Sequence, residues 1–249
     1  MHIKALILAA GYGTRLYPLT IDRPKPLIDV AGKPIIGHII EKLFKIDSVD
    51  KVYIITNGKF EQHYKKWLAG FNKSGLGKPI EIINDGTQSN DSRLGALGDV
   101  HYTINKKNID DEIMLIAGDN LFEFQLSYLV DFFRERESSV IALYDVHDLE
   151  LARHYGIVEV EKDVIVGFEE KPANPKTTLA STGIYIFTKK TISHIKTYLS
   201  EGNKADKTGD FIEWLYKRET VYGYVTKKQW FDIGSVEQLE KANAHFSQK

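Results

Sequence analysis

Residues 8–26 read Leu8-Ala-Ala-Gly11-Tyr-Gly13-Thr14-Arg15-Leu-Tyr-Pro18-Leu-Thr-Ile-Asp-Arg-Pro24-Lys25-Pro26. They follow at once on an apolar run, Ile3 to Leu8, that has the character of a buried first strand. Two glycines, a hydroxyl, an arginine and a proline-framed lysine thus leave the carboxyl end of that strand together. Glycine lets backbone N–H groups approach a ligand closely, and in α/β sheets ligands bind at this end of the strands. Fixed Arg and Lys charges beside such a loop suit a polyphosphate. The stretch therefore predicts an α/β fold that holds a nucleotide where its first strand ends.

Two familiar phosphate loops are excluded. A P-loop needs Gly-x-x-x-x-Gly-Lys-Ser/Thr, and no Gly-Lys-Ser/Thr follows this strand. A dinucleotide fingerprint needs a third glycine where Leu16 stands, and Pro18 soon stops any helix.

Outward from the loop, strand-like and helix-like patterns alternate. Ile35, Ile36, Ile39, Ile40, Leu43 and Phe44 make one apolar stripe on a helix starting near Pro34. The spacing then predicts a strand over 52–56, a helix over 60–68, a strand over 80–83, a helix over 94–104 and a strand over 113–117. A helix over 126–134 and a strand over 139–144 follow. Such alternation argues a largely parallel sheet covered on both faces. After about Asp148 the rhythm turns to shorter strands, at 157–160, 164–168 and 181–187, then helices near 190–199 and 210–218. Ser235-x-x-Gln238 reads as a capping box for a last helix carrying Leu239, Ala242 and Phe246 on one side.

Composition sets the class. A chain of 249 residues, 43% hydrophobic, can bury a substantial core as one α/β domain or two small ones. A net charge of −1 and a pI near 6.7 give no electrostatic case for nucleic acid or an anionic membrane. Cysteine is absent, which excludes disulfides, thiolate metal sites and a cysteine nucleophile. No apolar run approaches transmembrane length, and the amino terminus has no signal-peptide pattern, so a cytoplasmic protein is expected.

Three further stretches carry chemistry. Gly118-Asp119-Asn120 ends a buried strand, where a carboxylate suits a hard cation such as Mg²⁺, although the same residues also make ordinary turns. Trp230-Phe-Asp232-Ile-Gly234 sets a second carboxylate among apolar neighbours, where burial is costly without a partner. Brought beside Asp119, it would be repelled unless a divalent cation lay between them. Phe168-Glu169-Glu170-Lys171-Pro172 is preceded by Tyr155-Gly156 and followed by Ser181-Thr182-Gly183. Gly156 and Gly183 permit backbone approach to a small polar ring, while a solvated hairpin would use the same charged turn.

Taken in order, these stretches resemble the sugar-1-phosphate nucleotidyltransferase family, with its signature Gly-x-Gly-Thr-Arg-Leu-x-Pro-Leu-Thr and then Pro-Lys-Pro matched at every position between Gly11 and Pro26. The similarity runs from about Lys4 to about Gln238 and looks like that of glucose-1-phosphate thymidylyltransferases and UTP–glucose-1-phosphate uridylyltransferases. It implies a Rossmann-like, mixed but mostly parallel central sheet flanked by helices, the nucleotide-diphospho-sugar transferase fold. It implies nucleotidyl transfer from a nucleoside triphosphate to a sugar 1-phosphate, with glucose 1-phosphate and dTTP or UTP as the expected pair. On this resemblance Arg15 and Lys25 are catalytic, and Ala10, Gly11, Gly13, Thr14, Thr87, Gln88 and Gly95 bind the nucleotide. Tyr155, Gly156, Glu170, Lys171, Thr182 and Gly183 would bind the sugar phosphate, and Asp119 and Asp232 would hold Mg²⁺.

The base-recognition segment departs from the family pattern. Relatives carry Gln or Glu followed shortly by Pro and then Gly-Leu/Thr-Ala, whereas Thr87 to Asp99 has longer spacing and no proline. Thymine, uracil, cytosine and guanine stay open, and with them a cytidylyl- or guanylyltransferase acting on another phosphorylated substrate. A non-catalytic nucleotide-sugar sensor and an NAD oxidoreductase are the other readings. Arg15, Lys25, Asp119 and Asp232 together argue against the first, and the missing third glycine against the second. The expected organisation is one unit over 1–249, nucleotide-facing to about 147 and sugar-facing from about 148. No hexapeptide repeat occurs, which predicts no left-handed β-helix. A homo-oligomer is compatible with the sequence.

Overall fold

A computed structural model describes residues 2–71 and 77–248 of the chain. Strand β1 (Ile3–Leu8) lies within a nine-stranded sheet, with Ile3, Ala5, Leu6 and Ile7 fully buried, as an uninterrupted apolar run between two helical layers requires. It pairs in parallel with β4 (Val49–Thr56) and β6 (Glu112–Ala117), and β4 pairs in parallel with β5 (Ile80–Asn84). Beyond β6 the sheet continues through β11 (Leu179–Phe187), β8 (Val140–Asp145), β12 (Tyr222–Thr226), β10 (Val164–Glu170) and β9 (Gly156–Glu161). Strands β10 and β11 run against the other members, so the sheet is mixed and mostly parallel. Pairing of Ala180 with Ile157 ties β11 back to β9 and curls the far end.

Side-chain alternation assigns the two faces. Ala5, Ile7, Met114 and Ile116 pack in one core with α1 (Ile35–Phe44), α4 (Leu126–Arg136) and α8 (Val236–Phe246). Leu6, Ile113 and Leu115 pack in the other with α3 (Ala96–Lys107), α6 (Lys189–Ser200) and α7 (Thr208–Leu215). The stripe on α1 shows what drives the layering. Its four isoleucines and Leu43 are buried, each contributing about 1.5–3 kcal/mol by leaving water.

Several boundaries shift for local reasons. Helix α3 starts at Ala96 because Gly95, at φ +81°, breaks the helical path before it. Strand β12 is not legible from the chain, since Gly223 and the exposed Val225 interrupt its apolar run, and its pairing with β8 is what makes it a strand. The capping box is half formed. Ser235 Oγ accepts from the Gln238 N–H at 3.2 Å, but the Gln238 side chain accepts from Gly234 N–H at 2.8 Å rather than from Ser235. A small second sheet pairs β7 (Asn120–Phe122) antiparallel with β13 (Trp230–Asp232). Among the described residues no helix is long and apolar enough to cross a membrane.

Candidate functional site

Two adjoining cavities open where β1 and β6 end. The smaller, of about 300 Å³, is bounded by the strand-end residues Leu8 to Gly11, by Lys25 and Asp119, and by Gly95, Ala96 and Asp99 at the start of α3. The larger, of about 750 Å³, is bounded by Arg15, Asp119 and Asp232 and by residues of the β-rich second half. Ala96, Ala117, Asp119 and Asp206 border both.

The pairing of β7 with β13 sets the two aspartates on one wall. Asn120 lies opposite Asp232 in that ladder, and the Ile233 N–H donates to the Asp119 carbonyl at 3.0 Å. The Trp230 indole N–H donates to Asn120 Oδ1 at 2.8 Å and locks the register. Burial, and then the neighbouring Asp119 charge, push Asp232 up to about 6, against the opposing pull of Lys25, Arg15 and Lys171. Burial also pushes Asp119 upward, but the charge and hydrogen bond of Lys25 outweigh it and leave Asp119 below its ordinary value.

Lys25 is held from both sides. Pro24 and Pro26 frame it in a short 3₁₀ turn, and its ammonium donates to Asp119 Oδ2 at 2.5 Å and to the Ile233 carbonyl at 2.8 Å. Only 11% of its side chain is exposed. Gly118 makes this closeness feasible, because a Cβ there would lie 2.5 Å from the Leu8 carbonyl oxygen and 3.3 Å from Pro26. Lys25 thus lines the smaller cavity, paired with Asp119, which borders both.

In the larger cavity the structure gathers Arg15, Tyr155, Gly156, Glu170, Lys171, Thr182 and Gly183. Gly183, at φ +74°, lets the chain pass within contact of Ala117 and Asn120. Thr182 is committed to the scaffold, donating its hydroxyl to the Ala142 carbonyl at 2.8 Å. Burial raises Glu170, opposed by Lys207 at 3.6 Å and by Lys171.

Ala10, Gly11 and Gly95 line the smaller cavity, whereas Gly13, Thr14, Thr87 and Gln88 line neither. Gly13, at φ +63°, shapes the loop and accepts from the Thr20 hydroxyl at 2.7 Å. Thr87 is buried on Asp85, and the Gln88 side chain covers Gly58. Sequence reasoning did not single out Arg93, Asp99 and Asp206 of the smaller cavity, or Lys207 and Gln238 of the larger. The polar insertion at 87–93 hints at Arg93, but Asp206 and Lys207 are brought to the site by a segment more than a hundred positions later, to whose Asp206 and Ala205 carbonyls the Ala96 and Leu97 N–H groups donate.

Comparison with known proteins identifies the family. Residues 4–249 match the nucleotidyl transferase family, and the chain belongs to it. It is 35% identical over 249 residues to the bifunctional protein GlmU of Methanocaldococcus jannaschii, covering 99% of this chain and 55% of that one. The chain thus spans about half the length of that relative. The UTP–glucose-1-phosphate uridylyltransferase AglF of Haloferax volcanii is 29% identical over 253 residues, covering 99% of this chain and 98% of that one. Among solved structures, a Bacillus anthracis protein provisionally assigned as a glucose-1-phosphate thymidylyltransferase superposes with a TM-score of 0.84. It is 27% identical, covering 99% of this chain and 96% of that one.

Proposed function

We propose that this member of the nucleotidyl transferase family joins a nucleoside triphosphate to a sugar 1-phosphate and releases pyrophosphate, with glucose 1-phosphate and UTP or dTTP as the pair. The observation that carries the reading is that two cavities of different character share Asp119 on their common wall. A transfer between two substrates needs two subsites that meet at the reacting atoms. The triphosphate takes the smaller cavity, against the strand-end backbone, and the sugar phosphate takes the larger. A near full-length relative named for uridylyl transfer to glucose 1-phosphate supports the pair.

A phosphate oxygen of the sugar phosphate attacks the α-phosphorus as the bond to the departing pyrophosphate breaks. No protein nucleophile is needed, and positioning and charge supply the rate. Arg15 and Lys25 offset the charge gathering on the phosphates, Lys171 holds the incoming phosphate, and Glu170 accepts from sugar hydroxyls. The donor set fits Mg²⁺: Asp119 and Asp232, two carboxylates of which one is raised by the other, are hard oxygen donors that would hold such a cation. Among the described residues no cluster of three or more His, Asp or Glu forms a closed metal cage. Bound there, Mg²⁺ supplies Lewis-acid neutralisation of the α-phosphate. The substrates fit a cytoplasmic setting and a single catalytic unit over 1–249. The test combines UTP, dTTP, CTP and GTP with several sugar 1-phosphates in Mg²⁺ and reads pyrophosphate. Release with glucose 1-phosphate and UTP or dTTP is expected; no release with any pair overturns the reading.

A further inference from the structure

Gln238, in the first turn of α8, borders the larger cavity, and the reaction above leaves it without a task. Its side chain could close a capping box on Ser235, yet its Oε1 accepts the Gly234 N–H at 2.8 Å instead. Gly234 shares that N–H with the Asp232 carbonyl at 2.9 Å, so the amide braces the turn after Asp232. The turn is tightly packed. A Cβ on Gly234 would lie 3.0 Å from Gln238 Oε1, 3.5 Å from Arg15 Nη1 and 3.6 Å from Asp232 Oδ2. A backbone N–H can only donate, which settles the direction of the amide. Its oxygen faces Gly234, and its Nε2 faces the Tyr155 hydroxyl at 3.4 Å.

Tyr155 is held on its other sides as well. Its ring meets Trp230 edge to face at 5.0 Å, and its carbonyl accepts the Lys171 N–H at 3.0 Å. Tyr155, Lys171, Arg15 and Gln238 all border the larger cavity. A phenol oxygen that receives an amide N–H still has its own proton to give. Among the described residues Gln238 is the hydrogen-bond partner of that oxygen, and no group accepts the proton. The Asp232 and Arg15 charges act on the hydroxyl from a distance, which places it at the charged end of the cavity.

We propose that Gln238 is a positioning residue, whose amide N–H occupies the Tyr155 oxygen so that the hydroxyl gives its proton to a phosphate oxygen of the incoming sugar phosphate. The amide makes the hydroxyl a donor toward the cavity, as an anionic ligand requires. A carboxylate at position 238 would reverse it, drawing the proton to itself and turning a lone pair toward the anion. The inference rests on the sugar phosphate occupying the larger cavity, as proposed above.

Calorimetric titration of glucose 1-phosphate tests it without turnover, in protein saturated with Mg²⁺ and an α,β-imido analogue of UTP or dTTP. Tyr155→Phe is expected to bind about 10–100-fold more weakly, the size of one lost hydrogen bond to a charged group. Gln238→Glu keeps the side-chain shape and the Gly234 bond, yet reverses the hydroxyl, and loses a similar factor. In the Tyr155→Phe background Gln238→Glu costs less than about threefold more, because no proton is left to turn. In steady-state kinetics of Gln238→Glu, the KM for glucose 1-phosphate rises more than kcat falls and more than the triphosphate KM rises. A glutamine that only braces the turn predicts near-wild-type binding in Gln238→Glu, and added charge repulsion alone predicts the same loss in both backgrounds. Either result, or wild-type affinity in Tyr155→Phe, overturns the proposal. Should Gln238→Glu fail to fold, Gln238→Leu takes its place, with a loss of about three- to tenfold that again vanishes in Tyr155→Phe. Binding with these ratios but no pyrophosphate from any pair would fail the reaction while leaving the contact standing. Absence of glucose 1-phosphate binding to wild type would end both.

Discussion

Lys25 and Asp119 are 2.5 Å apart, and the lysine also reaches the Ile233 carbonyl, so one ammonium bridges the first loop, the end of β6 and the segment after β13. If that charge serves the transition state, Lys25→Ala lowers kcat on the order of 10²–10³-fold while triphosphate binding changes by less than about tenfold. Steady-state kinetics with titration calorimetry separate the two. Near-normal turnover per folded molecule would make the lysine structural.

The proposed Mg²⁺ site joins Asp119 and Asp232 into one unit. Asp119→Asn and Asp232→Asn are each expected to lower turnover at saturating Mg²⁺ on the order of 10³-fold, and the double variant to cost little more. In EDTA, Asp232→Asn should melt higher than wild type, because it removes a carboxylate facing the Asp119 charge. A variant keeping most of its activity, or fully additive losses, would separate the two residues functionally.

Stability of the ligand-free protein should fall as pH rises from about 4 to about 8. The folded-state value of Asp99 is raised to about 8 from its ordinary 3.8, so in this window the native state holds a proton that the unfolded chain has released. Each pH unit then costs the native state about 1.4 kcal/mol, an upper bound for one group. Below the window both states are protonated, and above it the cost is complete. Urea denaturation of wild type against Asp99→Asn isolates this contribution; parallel curves would refute it.

Gly95 packs against the 205–206 segment at the border of the smaller cavity. A Cβ there would lie 2.6 Å from the Ala205 carbonyl oxygen and from Asp206 Cα, at a φ of +81°. Gly95→Ala should destabilise by about 1–3 kcal/mol and raise the KM for triphosphate more than that for sugar phosphate. Equal KM effects would place the segment elsewhere in function.

The parts of the site legible in sequence are those carried by short, ordered strings: Gly11, Lys25, Asp119, Glu170-Lys171 and Asp232 all border the two cavities. The parts that were not legible depend on long-range closure. Asp206 and Lys207 border the site because the first N–H groups of α3 donate to carbonyls of a loop more than a hundred positions later. Thr87 and Gln88 have the chemistry of edge contacts, yet the turn after β5 spends them on Asp85 and Gly58. The partner of Lys25 was equally hidden, since a pattern of prolines fixes where a lysine starts and not which carboxylate it meets. Register explains β12: its strand character comes from its neighbour β8.

The three-residue ladder between β7 and β13 has a consequence for a chain still being made. Asp119 leaves the ribosome 113 residues before Asp232, and Asn120 must wait for Trp230 to lock its register. A nascent chain that has made β1, β4, β5 and β6 carries Asp119 but not yet Asp232, so it lacks one carboxylate of the proposed Mg²⁺ site. If the two aspartates share Mg²⁺ as proposed, turnover would begin only after β13 has docked against β7, and a chain stalled or clipped before Trp230 would be inactive.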